Sequence, residues 1–178
     1  MIETPATPIA LTPRLRLREL TEGDADFALE LLNDADFLAH IGDKGVRTRE
    51  DARAYLCNGP LASYAAHGFG LWGVEPGEGG ALLGMCGLLQ RDWLDAPDLG
   101  YAFLPAARGR GVAREAAEAV LALARPRFGA DTVLAIVNPE NAPSIRLLER
   151  VGFVEEGMVQ PPGESRSIAR YAWRGFAN

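Results

Sequence analysis

Arginine and leucine alternate from Arg14 to Arg18, with Leu15 and Leu17 on one side of a period of two and Leu20 displaced beyond it. That pattern predicts a half-buried strand. Thr21 stands three residues before Asp24, and Ala25, Ala28, Leu29 and Leu32 follow at helical spacing, which predicts a capped amphipathic helix. Thr48 and Asp51 repeat the start signal ahead of a short apolar face at Ala52, Tyr55 and Leu56. The mixed stretch between, residues 34–47, is expected to carry a bend or a mobile substrate-side loop. Phe69 to Val74 and Leu82 to Leu89 read as strands, joined through Glu75-Pro76-Gly77-Glu78-Gly79-Gly80 as a hairpin with a long turn.

The second half has a different rhythm. A strand over Leu99 to Leu104 ends at Pro105, and Ala113, Ala116, Ala117, Val120, Leu121 and Ala124 form a helical stripe closed by Pro126 and Gly129. Thr132 to Val137 is an unbroken apolar run, as in a strand covered on both faces. A short helix through Pro143, Ser144, Leu147, Leu148 and Val151 stops at Gly152. A terminal pair of strands follows, the second over Ser167 to Phe176. A helical crossover makes the strands at Leu99 and Thr132 parallel within a largely antiparallel set. The fold class is therefore mixed α/β (α+β), a single domain over residues 14–178 with helices on both faces of one sheet. Residues 1–13, with Pro5, Pro8 and Pro13, form an N-terminal leader, either loose or laid along the surface.

Composition narrows the function classes. The 178 residues are 48% hydrophobic and 24% charged, enough for one substantial core. The net charge of -6 offers no broad attraction to nucleic acid or to an anionic membrane, so neither is an expected partner. Cys57 and Cys86 make neither a disulfide scaffold nor a zinc pair, and His40 and His67 stand isolated, so no metal is expected. With no apolar run near the roughly 18 residues of a membrane span, and no leader of the secretory kind, the cytoplasm is the expected location.

The most specific chemistry lies at Arg108-Gly109-Arg110-Gly111-Val112-Ala113, which follows a strand and opens a helix. Backbone N–H groups at a helix start, small residues and two arginines suit an anion. The local string equally fits a solvated surface turn. It lacks the Gly-Lys-Ser/Thr ending of a nucleotide-triphosphate loop and the setting of a dinucleotide fold.

Taken with its surroundings, the chain resembles the GNAT superfamily of N-acetyltransferases, and within it the branch of the ribosomal-protein alanine N-acetyltransferases. Arg108, Gly111 and Ala113 match the family's Gln/Arg, two residues, Gly, one residue, Gly/Ala motif. The resemblance extends to Asp98-Leu99-Gly100-Tyr101, where relatives usually carry Glu in place of Asp98. It also takes in Asn138-Pro139-Glu140-Asn141-Ala142-Pro143-Ser144 and Leu147-Leu148-Glu149-Arg150-Val151-Gly152-Phe153.

The resemblance implies acetyl-CoA as cosubstrate, with Arg108, Gly109, Arg110, Gly111, Val112 and Ala113 around its pyrophosphate. It also implies that the two parallel strands splay apart and that backbone groups of Ala102, Phe103 and Leu104 pair with the pantetheine arm. Asp98 takes the place of the family's catalytic Glu as base, acting directly or through a water. Asn141 caps the short helix and approaches the pantetheine; Ser144 also lies by the thiol end, as proton donor to the leaving thiolate or as the group that orders it. Many relatives carry a Tyr where this chain has Leu148.

The implied reaction is direct attack by a primary amine on the thioester in a ternary complex, the acceptor being a peptide or protein N-terminus or a small molecule. A longer acyl-CoA donor, or a CoA-binding sensor or interaction module without turnover, would use the same cradle. Cys86 reads as a buried strand residue rather than a nucleophile, and Phe69, Trp72 and Tyr101 as packing. Trp93 with Asp92, Asp95 and Asp98 suggests an acidic, partly aromatic mouth suited to a cationic amine. An exposed terminal strand would allow a homodimer as well as a monomer.

Overall fold

A computed structural model describes residues 7–175 of the chain. Within the expected leader, β1 (Ala10–Leu11) pairs with β2 (Leu15–Arg18), whose Leu15 and Leu17 are buried while the intervening arginines lie at the margin. Residues 1–6 of that leader lie outside the described residues. Thr21 and Asp24 form the expected capping box, closing a 3-10 turn that leads into α1 (Ala25–Leu32).

The stretch expected to be a bend or loop contains α2 (Ala35–His40), capped by the Asp34 carboxylate, which accepts from the N–H groups of Asp36 and Phe37. Six residues with one buried apolar side chain, Phe37, leave too little periodicity to announce a helix. The second capping box, Thr48 with Asp51, opens α3 (Arg49–Leu56). The helix does not break at Gly59-Pro60. It passes through a widened π turn at Cys57–Leu61 into α4 (Ala62–His67), because the wider turn accommodates Pro60, which has no N–H to donate.

Strands β3 (Leu71–Pro76), β4 (Gly84–Leu89) and β5 (Asp98–Phe103) then run antiparallel in sequence. The crossover helix α5 (Val112–Phe128) leads to β6 (Val133–Val137), followed by α6 (Ala142–Arg150), β7 (Val154–Val159) and β8 (Ile168–Trp173). Pro126 sits inside the last turns of α5 rather than ending it, and Gly129 at φ 68° closes the helix. Among the described residues the strands form one sheet in the order β1-β2-β3-β4-β5-β6-β8-β7. The last strand in sequence is therefore interior, and the exposed edge belongs to β7.

All neighbours are antiparallel except β5 and β6, which share a single register pair, Asp98 with Leu134. On its other side β5 keeps register with β4 from Leu89–Asp98 to Gly84–Phe103. β5 thus stays straight on β4 while β6, held by β8, leaves it, and a fork opens toward Phe103 and Val137. One core lies between the sheet and α5 and α6; a second lies on the opposite face under α1, α2 and α3.

Candidate active site

The loop after β5 forms a 3-10 turn at Pro105–Ala107 and then passes through Gly109 and Gly111 with φ of 72° and 74°. Both values lie in the left-handed region that favours glycine. Gly111 is the N-cap of α5 and no side chain caps that end, so the first N–H groups of a long helix open at the mouth of the fork. This is the arrangement that holds a phosphate.

Arg108 is turned away from that opening. Its guanidinium pairs with the Asp34 carboxylate, with Asp36 at 2.7 Å and with the Phe103 carbonyl at 2.9 Å. Burial works against the charged form of Asp34, but Arg108 and the cap N–H groups outweigh it and hold its pKa below the usual value. The cation beside the loop is instead Arg14, a residue with no local signal in the sequence. Its Nη1 donates to the Arg110 carbonyl at 2.8 Å and its Nε to Glu115 at 2.6 Å, and a Cβ on Gly111 would stand 3.3 Å from Nη2. Arg110 is exposed, and its guanidinium reaches the Ala106 carbonyl at 3.4 Å.

Strand parity decides which backbone groups face the fork. Leu104 donates its N–H to Leu83 on the β4 side at 2.9 Å, while Pro97 accepts from Leu134 on the β6 side at 2.8 Å. Alternation then sends the polar groups of Ala102 and Leu104 to β4 and those of Tyr101 and Phe103 to the fork. Of the three residues expected to offer backbone groups to a ligand arm, Ala102 and Leu104 turn theirs to β4, and Phe103 alone turns its own to the fork. Its carbonyl is already taken by Arg108, which leaves its N–H together with the N–H and C=O of Tyr101.

Alternation also puts Asp98 and Tyr101 on opposite faces. Asp98 is 1% exposed, its two oxygens each 3.1 Å from the Arg91 Nε. Burial pushes its pKa up, and the Arg91 charge only partly reverses the rise. On the other face, α6 begins at Asn141, whose side chain caps it by accepting from the Ser144 N–H at 3.3 Å, as expected from the sequence. The Ser144 hydroxyl is hydrogen-bonded to the Tyr101 hydroxyl, a contact absent from the sequence reading, in which Tyr101 was packing. Leu148, one turn further along α6, is buried in the core.

The family model described as an acetyltransferase (GNAT) domain matches residues 14–154. The chain belongs to the GNAT acetyltransferase family. The Bacillus subtilis (strain 168) protein YkkB is 30% identical over 148 residues, covering 80% of this chain and 83% of that protein. An acetyltransferase from Agrobacterium tumefaciens has the same fold with a TM-score of 0.79 at 24% identity, covering 96% of each chain. A ribosomal L7/L12 alpha-N-protein acetyltransferase, solved in complex with coenzyme A, superposes with a TM-score of 0.80 at 16% identity, covering 94% of this chain and 98% of that one.

On the face of this GNAT domain that carries Asp98, a cleft of about 360 Å³ opens between α3, α4 and the sheet, lined by Tyr55, Asn58, Ser63, His67, Leu71 and Leu89. Leu71 and Leu89 pack directly over Gly100, so the cleft floor is separated from the fork by one strand. The acidic mouth expected around Trp93 is largely neutralised: Asp98 pairs with Arg91, and Asp95 with Arg170 at 3.2 Å. Cys86 is fully buried and burial pushes its thiol pKa up, the opposite of an activated nucleophile. No group of three His, Cys, Asp or Glu side chains is arranged to hold a metal among the described residues, and no helix there is long and apolar enough to cross a membrane.

Proposed function

We propose that this chain transfers an acetyl group from acetyl-CoA to a primary amine, of a peptide or protein N-terminus or of a small molecule, by direct attack in a ternary complex. The observation that carries the reading is the uncapped N-terminus of α5, entered through two left-handed glycines, at the open end of the β5–β6 fork. The fit to a diphosphate is good: N–H groups of the first turn of α5 are available, and Arg14 supplies a cation without filling the cradle. When bound, acetyl-CoA would supply an acetyl group activated as a thioester, with the coenzyme A thiolate as leaving group.

This chain's residues then divide by face. Phe103 N–H and the Tyr101 backbone align the arm that carries the thioester, and the Asn141 cap holds Ser144 toward its end. Asp98, on the other face and next to the Leu71–Leu89 cleft, takes from the acceptor ammonium, through a water or once Arg91 moves aside, the proton it must lose before its nitrogen can attack. Its raised pKa brings the carboxylate nearer to that of a working base. The neighbour that modifies a ribosomal-protein α-amine supports an N-terminal acceptor, while the net charge of -6 gives this chain no electrostatic help toward a ribosome.

An acetyl-CoA turnover screen against α-amine peptides and small amines, run beside coenzyme A binding, tests the reading. Acetylated product from at least one amine class is expected. Coenzyme A binding without transfer to any of the panel would favour a sensor or interaction module instead, and faster transfer from longer acyl-CoA thioesters would displace acetyl as the donor group.

A further inference from the structure

We infer that Tyr101 is a positioning residue for the leaving group: its hydroxyl holds Ser144 so that the serine's own hydrogen points into the fork as a donor to the departing sulfur. The inference rests on the coenzyme A reading of the fork. A serine hydroxyl has one hydrogen and two lone pairs, so a donor on its oxygen leaves that hydrogen free for a third group. Either hydroxyl can donate across this contact, and the inferred role requires Tyr101 to be the donor. Among the described residues its other acceptor is the Ser144 carbonyl at 3.4 Å, the longer of the two contacts. The pair is fixed from both ends, Ser144 by the Asn141 cap and Tyr101 by β5, whose register sets it opposite Cys86 of β4.

The two hydroxyls lie past the Asp98–Leu134 pair, where β5 and β6 separate, and Tyr101 also presents its backbone N–H and C=O to the same gap. One residue thus lines the gap with main chain and braces Ser144 with side chain. Among the described residues no ionised partner bridges the pair. Cys86 is the titratable group that bears on Tyr101, and it is a neutral buried thiol.

Burial pushes the Tyr101 phenol up to about 12, with the Ser144 hydrogen bond acting the other way. A thiol ionises near 8.5, roughly three units lower, so full transfer of the phenolic proton to a thiolate is strongly uphill. The step therefore balances without a proton from Tyr101 or Ser144. The C–N bond forms and the C–S bond breaks, its electron pair stays on sulfur as a hydrogen-bonded thiolate, and the protons lost are those shed by the acceptor nitrogen, one before attack and one as the amide forms. Ser144 orders the thiolate rather than protonating it.

The test needs no acceptor. Coenzyme A bound to the wild-type protein, to Tyr101→Phe and to Ser144→Ala is titrated by the ultraviolet absorbance of its thiolate, with desulfo-coenzyme A binding measured for each protein. A hydrogen bond to a charged group is worth roughly 1.5–3 kcal/mol, so the wild-type complex should lower the thiol pKa by about one unit or more. Each variant should return most of that shift while binding desulfo-coenzyme A like the wild type. An identical thiol titration in wild type and Tyr101→Phe, with coenzyme A bound, overturns the role of Tyr101. Equal weakening of desulfo-coenzyme A reduces it to packing. Failure of the wild type to bind coenzyme A at all overturns the cofactor reading and this inference with it.

Discussion

Asp98 and Tyr101 stand three positions apart on one strand, yet the pleat puts them on opposite faces, one paired with Arg91 on the face that carries the Leu71–Leu89 cleft and one toward α6. Under the proposed mechanism the first acts on the amine, and the second positions Ser144 for the leaving sulfur. Asp98→Asn removes the charge, leaves Arg91 without its carboxylate and should lower turnover most strongly below the acceptor amine's pKa. A kcat/KM profile that superposes on the wild type across pH would remove Asp98 from proton transfer. In the sequence Asp98 was visible through its place in a family pattern. Tyr101 stands in the same pattern but reads as packing, because apolar Leu99 and Phe103 on the same parity make it look like core. Its hydroxyl acquires a role only from Ser144, which lies 43 positions further along the chain.

At the scale of elements, α2 and the glycine loop are joined by Arg108. The Asp34 carboxylate caps α2 and also binds that guanidinium, so the helix invisible in the sequence occupies the arginine expected to meet phosphate. Gly111 and Arg108 should then separate in their effects. Gly111→Ala forces a side chain into φ 74°, at a cost of roughly 1–2 kcal/mol, and sets its Cβ against Arg14. It should weaken coenzyme A binding more than Arg108→Gln does, as read by calorimetry. The reverse order would mean that Arg108 swings to the phosphate after all. The two capping boxes, by contrast, were legible because their signal is confined to four consecutive residues. The continuation of α3 through Pro60 was not, since a local reading ends a helix at Gly-Pro and only packing around the wide turn keeps it going.

For the whole molecule, several carboxylates that tie distant segments together titrate low. Asp34 is held by Arg108 and its cap N–H groups, and Glu115 by Thr12 and Arg14, in both cases against the opposing effect of burial. A folded-state pKa below the unfolded value adds stability that is fully present above the unfolded value and disappears as pH falls through the folded one. Starting from ordinary values of 3.8 and 4.5, unfolding free energy should therefore fall as pH drops below about 5. Asp34→Asn, which keeps an oxygen at the cap but not the charge, should flatten that fall in urea titrations, and an unchanged slope would show that the pair contributes nothing to stability. The sequence by itself determined the strand and helix periodicities, the capped helix starts, the crossover that makes β5 and β6 parallel, and the family pattern, because each depends on side-chain types at short fixed spacings. Tertiary structure alone decided the single-pair fork, the parity that presents Tyr101 and Phe103 to it, the placement of β8 inside the sheet and the partners of Arg14, Arg91 and Arg108. Those depend on which distant groups meet once both faces of the sheet are covered, and no local period encodes such meetings.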